Sequence, residues 1–345
     1  MDFDRQHRKR VEQYLRRVEK LFNDLVESIV FSSLPATLKE GLFQFRKYPK
    51  ITKYIENVFN QFNSDLRELI TVSTAYSWNV GDLKNDALKL ATLNSISGKI
   101  PADILNKLKE APMPRNAEAL KAFQERKTGK FTISDRVWSI TQNTKKELEF
   151  ALDLGLSEGK SAQQLAREIK KYLREPDRLY RRVRDKHGNL TLSKNAKAYK
   201  PGQGVYRSSM ANAVRLTKEE NNLAYRESDQ LRIMQNNDIV GYRIELSNRH
   251  KIVDICDDLR GLYPKNFIWR GWHIGCMCQR FTVRKTDKEI IDEINKGLNL
   301  PPERSENYIS DVPEQFKTYM DENKAKMEGW KTQPSFMMDN KGYIK

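Results

Sequence analysis

The residues best suited to chemistry lie close together. All three cysteines and two of the four histidines of the 345-residue chain, His250, Cys256, His273, Cys276 and Cys278, fall within 29 positions. Thiolate and imidazole donors suit Zn²⁺, and a Cys-x-Cys pair can turn two sulfurs toward one ion from a tight turn. Three sulfurs leave one tetrahedral position, which His250 or His273 can fill. A structural zinc is therefore expected, clipping together strands that carry few apolar residues. Two other readings use the same residues. The cysteines can be small buried hydrophobes, or a Cys–His pair can be a nucleophile, although nothing nearby supplies an oxyanion donor. Asp254, Asp257 and Asp258 suit either a hard cation or plain solvation.

Charge is the second signal. The chain holds 62 Lys+Arg against 46 Asp+Glu, a formal net charge of +16, and residues 167–226 alone carry +10 of it. Within that block Arg174, Arg178, Arg181, Arg182, Arg184, Lys186, Lys194, Lys197 and Lys200 are interspersed with Tyr172, Tyr180 and Tyr199. Such a cluster attracts double-stranded DNA or an acidic protein surface. No base-reading motif accompanies it, so DNA contact is expected to be independent of sequence. A solvated face on a hairpin is the plainer alternative.

These residues need elements to hold them. Val11, Tyr14, Leu15, Val18, Leu21, Phe22, Leu25, Val26 and Ile29 recur at helical spacing, as do Ile51, Tyr54, Ile55, Val58, Phe59, Phe62, Leu66 and Ile70. Gly81, Gly98, Pro101, Pro112 and Pro114 predict short helices and loops over 80–116, with helices resuming near 117–127 and 135–155. Gly155 to Ser161 mimics a phosphate loop but has three residues between its glycines instead of four, and no strand precedes it. It reads better as a helix end followed by a Ser161-capped helix. Arg181 to Leu192 predicts a basic β-hairpin, Met210 to Arg232 a long helix with Ala213, Leu216, Leu223, Ala224 and Leu231 inward, and Ile239 to Leu246 a strand. The expected class is α+β and predominantly α-helical. A helical domain over 1–175 precedes a small α+β domain over 176–286 with a zinc-stabilised β element, and a loosely packed, mostly helical tail covers 287–345. With a mean hydropathy of −0.75, no apolar run long enough for a membrane span and a charged start, no membrane partner or secretion signal is expected. Three clustered cysteines also exclude a disulfide scaffold.

An ordered series of motifs carries a family resemblance. Tyr206-Arg207-Ser208-Ser209, the helix Ala213-Val214-Arg215 to Tyr225-Arg226, Asp254-Ile255-Cys256-Asp257 with Gly261, Gly271-Trp272-His273 and Cys276-Met277-Cys278 together resemble the phage minor head proteins, also called Mu F-like or head morphogenesis proteins. The resemblance is best over about 135–280. The tail motifs Val312 to Phe316 and Pro334 to Asn340 are also similar to those of Bacteroidetes-type members. It implies a non-enzymatic structural protein of a phage head, made in the host cytoplasm and sited near the portal, with portal protein and capsid or scaffold protein as partners. Where the family commonly has His-Pro-x-Cys-x-Cys, this chain has Ile274 in place of proline. Where it often has Arg-x-x-Arg-Thr-Glu, Arg215 and Glu220 survive, and a structural ion pair between them is implied. Some members carry a further cysteine where Val253 stands, which points to His250 as its substitute. The alternatives in other classes are a metal-dependent nuclease, with His250 or His273 as base beside the three aspartates, and a zinc-stabilised, sequence-independent DNA-binding protein.

Overall fold

The computed structural model describes residues 2–33, 43–174, 182–184, 190–192, 208–329 and 333–344. Its helices are α1 (Phe3–Ser33), α2 (Pro49–Ser95), α3 (Ala102–Glu110), α4 (Ala117–Glu125), α5 (Ile133–Ser157), α6 (Ala162–Arg174), α7 (Ser209–Gln235), α8 (Ile255–Asp258), α9 (Asp287–Lys296), α10 (Glu314–Glu328) and α11 (Ser335–Met338). A two-stranded ribbon pairs β1 (Arg182–Arg184) with β2 (Leu190–Leu192), where the sequence predicts a hairpin. A three-stranded antiparallel sheet has the order β4 (Gly261–Pro264), β3 (Ile239–Glu245), β5 (Gln279–Arg284). The chain is thus predominantly helical α+β. Among the described residues no helix is long and apolar enough to cross a membrane.

Two compact units form, and each is discontinuous in sequence. One comprises Lys9–Ser73 and Ala122–Glu220; the other comprises Met1–Arg8, Thr74–Lys121 and Asn221–Lys345. This differs from the three consecutive blocks, 1–175, 176–286 and 287–345, that composition suggests. The reason is helix length: α2 has 47 residues, about 70 Å at 1.5 Å per residue. That exceeds the width of one core, so α1, α2 and α7 each serve both units.

The first unit has an all-helical core. Val18, Phe22 and Ile29 of α1 join Ile55, Phe62 and Leu66 of α2, Leu148 and Leu152 of α5, and Leu165 and Ile169 of α6. Phe22 and Phe62 meet edge to face at 4.8 Å. Gly155 lies inside α5 instead of ending it. A Cβ there would come within 2.2 Å of Leu165 Cδ1, so the glycine permits close approach of α6. Ser161 does cap α6, with its Oγ accepting from Gln164 N at 3.3 Å.

The second unit contains an unexpected polar helix contact. Ala224 is inward as expected, but Leu223 and Leu231 are only part-buried, and the buried side of α7 there also includes Tyr225, Arg226, Ser228, Asp229 and Arg232. Asp229 accepts from Asn85 Nδ2 at 2.8 Å, Arg280 Nε at 2.9 Å and Lys84 Nζ at 3.3 Å. Arg232 pairs with Asp86 at 2.7 Å. Gly81 does not break α2, because its missing Cβ lets the Tyr225 carbonyl and Ser228 come close; a methyl group would sit 2.8 Å from both. Beside this contact the sheet buries Tyr242 and Ile244 against Tyr263, Phe267, Trp269 and Trp272. The expected loose tail is corrected here. Phe316 and Met320 of α10 and Phe336 and Met337 of α11 belong to the same buried cluster, and Phe336 meets Trp272 edge to face at 5.4 Å.

One buried carboxyl in the first unit makes stability depend on pH. Ser209 donates from N at 3.0 Å and from Oγ at 3.0 Å to Glu147. Burial outweighs these bonds and pushes the Glu147 carboxyl up to about 7 from 4.5. A folded-state value above the unfolded one means that stability is gained as pH falls from about 7 to 4.5 and is lost above. Glu147→Gln should remove this dependence and gain about 3 kcal/mol over wild type at pH 8 relative to pH 4.5. His7, which burial lowers to about 4, acts in the opposite sense, so the difference between variant and wild type in thermal scans from the lower to the upper of those two pH values is the readout. Parallel curves would refute the assignment.

Candidate metal centre

Two short backbone devices bring the cysteines together in the second unit. Asp254 caps α8, its Oδ1 accepting from Cys256 N at 2.7 Å, while Asp257 Oδ2 accepts from Asp254 N at 2.9 Å. This reciprocal box fixes Cys256 inward. The second device is the turn His273-Ile274-Gly275-Cys276, closed by Cys276 N to His273 O at 3.1 Å. Gly275 supplies a φ of +78°, the conformation that the third residue of a type II turn requires. The turn therefore forms with Ile274, not a proline, at its second position. Met277 separates Cys276 from Cys278, and β5 begins at the next residue.

Cys256, Cys276 and Cys278 are all buried, with their sulfurs within 4.8 Å of one another. Cys256 Sγ lies 3.7 Å from Cys276 Sγ and 3.1 Å from His273 Nε2. Hydrogen bonds from Cys256 and Cys278 hold the Cys276 thiol well below its ordinary range, with smaller help from the nearby Arg226 guanidinium. Hydrogen bonds with Cys276 and Cys278, and then burial, push Cys256 up. At Cys278 the bond from Cys256 favours the thiolate, but the bond to Cys276 and burial outweigh it, leaving the thiol at about 12. The cluster thus accommodates one negative charge by itself. Ionising all three sulfurs requires a cation among them, and these residues could hold a metal ion.

The two histidines differ. His250 Nε2 is 2.8 Å from Asp257 Oδ2, and His250 also forms a possible ligand group with Asp254 and Cys256. His273 Nδ1 donates to the Ile274 carbonyl at 2.8 Å, which leaves the Nε2 lone pair facing Cys256 and Asp254, the latter at 3.2 Å. Asp254 and His273 do not make a catalytic relay with Cys256. The carboxylate and the sulfur share one ring nitrogen of His273, whereas a relay needs them on opposite nitrogens.

Other expected site residues fare differently. Glu220 is buried, but its carboxylate accepts from Arg126 at 2.9 Å and Arg136 at 3.2 Å instead of pairing with Arg215. Residues five apart on a helix point about 140° apart, so the implied Arg215–Glu220 pair is replaced by two arginines distant in sequence. Of the basic block, Arg174 is exposed at the end of α6, 3.8 Å from Glu19. Arg182 and Arg184 lie on β1, described by backbone alone. Arg178, Arg181, Lys186, Lys194, Lys197 and Lys200 lie outside the described residues. Ser208 Oγ donates to the Leu173 carbonyl at 2.8 Å. Arg226, in contact with the thiol turn, has no spacing signal that would have singled it out within a basic helix.

No protein-family model, curated protein or solved structure matches the chain. The site is therefore read from its own geometry. One equivalent of Zn²⁺ added to reduced, chelator-treated protein should raise Tm by about 5 °C or more and shield all three thiols from alkylation. Unchanged melting and unchanged thiol reactivity would leave the cysteines as inert core.

Proposed function

We propose that the chain is a non-catalytic structural protein of the phage minor head class, with a zinc held by Cys256, Cys276, Cys278 and His273. The observation that carries this reading is convergence. Of the residues that carry the resemblance, Arg226, Asp254, Cys256, Asp257, Gly271, Trp272, His273, Cys276 and Cys278 meet around one buried thiol cluster, whereas Ser208, Ser209 and Ala213 to Glu220 belong to the other unit. Zn–S bonds of about 2.3 Å put tetrahedral sulfurs about 3.8 Å apart, close to the 3.7 Å between Cys256 and Cys276. His273 suits the fourth position because its other ring nitrogen is bonded to a carbonyl, the usual arrangement for a metal-bound imidazole. His250, held by Asp257, buttresses α8 instead.

The zinc acts as a clip. Bound there, it would hold the α8 loop, the 273–278 turn and the start of β5 as one unit. The clip stiffens a surface for the portal protein and for capsid or scaffold protein, in the head of a phage particle. The basic residues around 174–200 contact packaged double-stranded DNA without reading its sequence. Against the nuclease alternative stands the commitment of Asp254 Oδ1 and Asp257 Oδ2 to capping α8, with Asp257 Oδ2 also held by His250, which leaves fewer carboxylate oxygens for a catalytic ion.

Elemental analysis of purified chain should find about one zinc per chain, reduced by His273→Ala and retained by His250→Ala. The gene should lie beside one for a portal protein, and co-expression of the two should give a complex on size exclusion; an absent portal neighbour or repeated failure would sink the portal claim. Plasmid incubated with the protein and Mg²⁺, Mn²⁺ or Zn²⁺ should stay intact. Scission that disappears in His250→Ala or His273→Ala would establish the nuclease instead.

A further inference from the structure

Arg226 is an anomaly. It is 8% exposed, and a buried guanidinium without an anion carries a large desolvation cost. Its partners among the described residues are backbone carbonyls and a ring, and none is a carboxylate. One terminal nitrogen donates to the Arg270 carbonyl at 2.9 Å, and the other to the Cys276 carbonyl at 2.7 Å and more weakly toward that of Cys278 at 3.5 Å. The guanidinium carbon lies 4.5 Å from the centre of the Trp269 ring. The acids beside it on α7 are committed elsewhere, Glu227 to Arg270 and Asp229 to Arg280 and Lys84.

The loop is shaped to admit this side chain. Gly271 has a φ of +109°, and a Cβ there would lie 2.3 Å from the Arg226 guanidinium. The carbonyls it grips belong to the residue before Gly271 and to both members of the Cys-x-Cys pair, so one cation spans the loop that carries three proposed ligands. Three thiolates, a neutral imidazole and a divalent ion sum to one negative charge. Arg226 supplies one positive charge beside it.

We infer that Arg226 is the positioning residue of the thiol cluster, fixing the Cys-x-Cys turn through its carbonyls and balancing the net charge of a divalent tris-thiolate centre. This rests on the zinc reading above. It assigns control of the metal to a helix that contributes no ligand, and it accounts for a buried cation with no acidic partner among the described residues. It also favours the Cys₃His set over a set with a fourth anionic ligand, which one guanidinium would not neutralise.

The test compares the full wild-type chain with Arg226→Gln, which keeps a donor and loses the charge, and Arg226→Lys, which keeps the charge and loses the fork. Zinc affinity is read by chelator competition, and the ligand set by the absorption of the Co²⁺-loaded protein. Arg226→Gln should bind zinc about 10- to 100-fold more weakly with an unchanged tetrahedral cobalt spectrum, and Arg226→Lys should recover most of that loss. The gap in Tm between metal-loaded and chelator-treated protein should narrow in Arg226→Gln; a merely structural arginine would lower both Tm values and leave the gap intact. If Arg226→Gln does not fold, Arg226→Met, which keeps the stem over Trp269, takes its place. Wild-type affinity in the neutral variant, an unchanged Tm gap, or a lysine variant no better than glutamine overturns the inference while the zinc reading stands. A wild-type chain that binds no zinc removes both.

Discussion

The wholly buried Asp229 is the constraint on which the second unit depends. Its carboxylate takes bonds from α2 through Lys84 and Asn85 and from β5 through Arg280. These partners hold it ionised below the usual carboxylate range despite its burial. Arg280 is as deeply buried and also donates to the Arg226 carbonyl at 3.0 Å. Removing either partner would strand a charge in the interior, which costs far more than the pair contributes. The arrangement therefore serves specificity more than stability: it permits one register of α2 against α7, and one seat for the start of β5.

That seat decides where the thiols go. Arg280 follows Cys278 by two residues, and Arg226 precedes Asp229 by three, so the ion pair and the thiol turn are read from adjacent positions of the same helix and strand. Around them, Trp269, Trp272, Phe267, Tyr263, Phe316 and Phe336 exclude water from the cysteines. In such surroundings a second thiolate is strongly disfavoured unless a cation arrives. The acidic side chains nearest the sulfurs, Asp254 and Asp257, cap α8 and face the two histidines. The role in a phage head remains a proposal built on this convergence of motif residues.

Local pattern and chemistry were legible in the sequence. The apolar stripes of α1 and α2, the Ser161 cap, the β1–β2 ribbon and β3 depend on periodicity and turn residues that short segments carry by themselves. The gathering of all three cysteines beside two histidines likewise pointed to one cluster before any fold was known, because donor type and spacing are properties of the chain.

Other features needed the tertiary structure, for a common physical reason: they depend on residues far apart in sequence that no period links. The polar face of α7 is buried because α2 brings matching charges to it, and a hydrophobic pattern registers such a face as solvent. Gly81 and Gly155 read as helix breaks until a neighbouring helix shows why a side chain would not fit. Glu220 found Arg126 and Arg136 instead of Arg215, and the tail became core only when Phe316 and Phe336 met the aromatic cluster. What the sequence determined alone was the donor set and the local elements. The fold decided which charges those donors would face, because burial and long-range pairing set the electrostatics of the site.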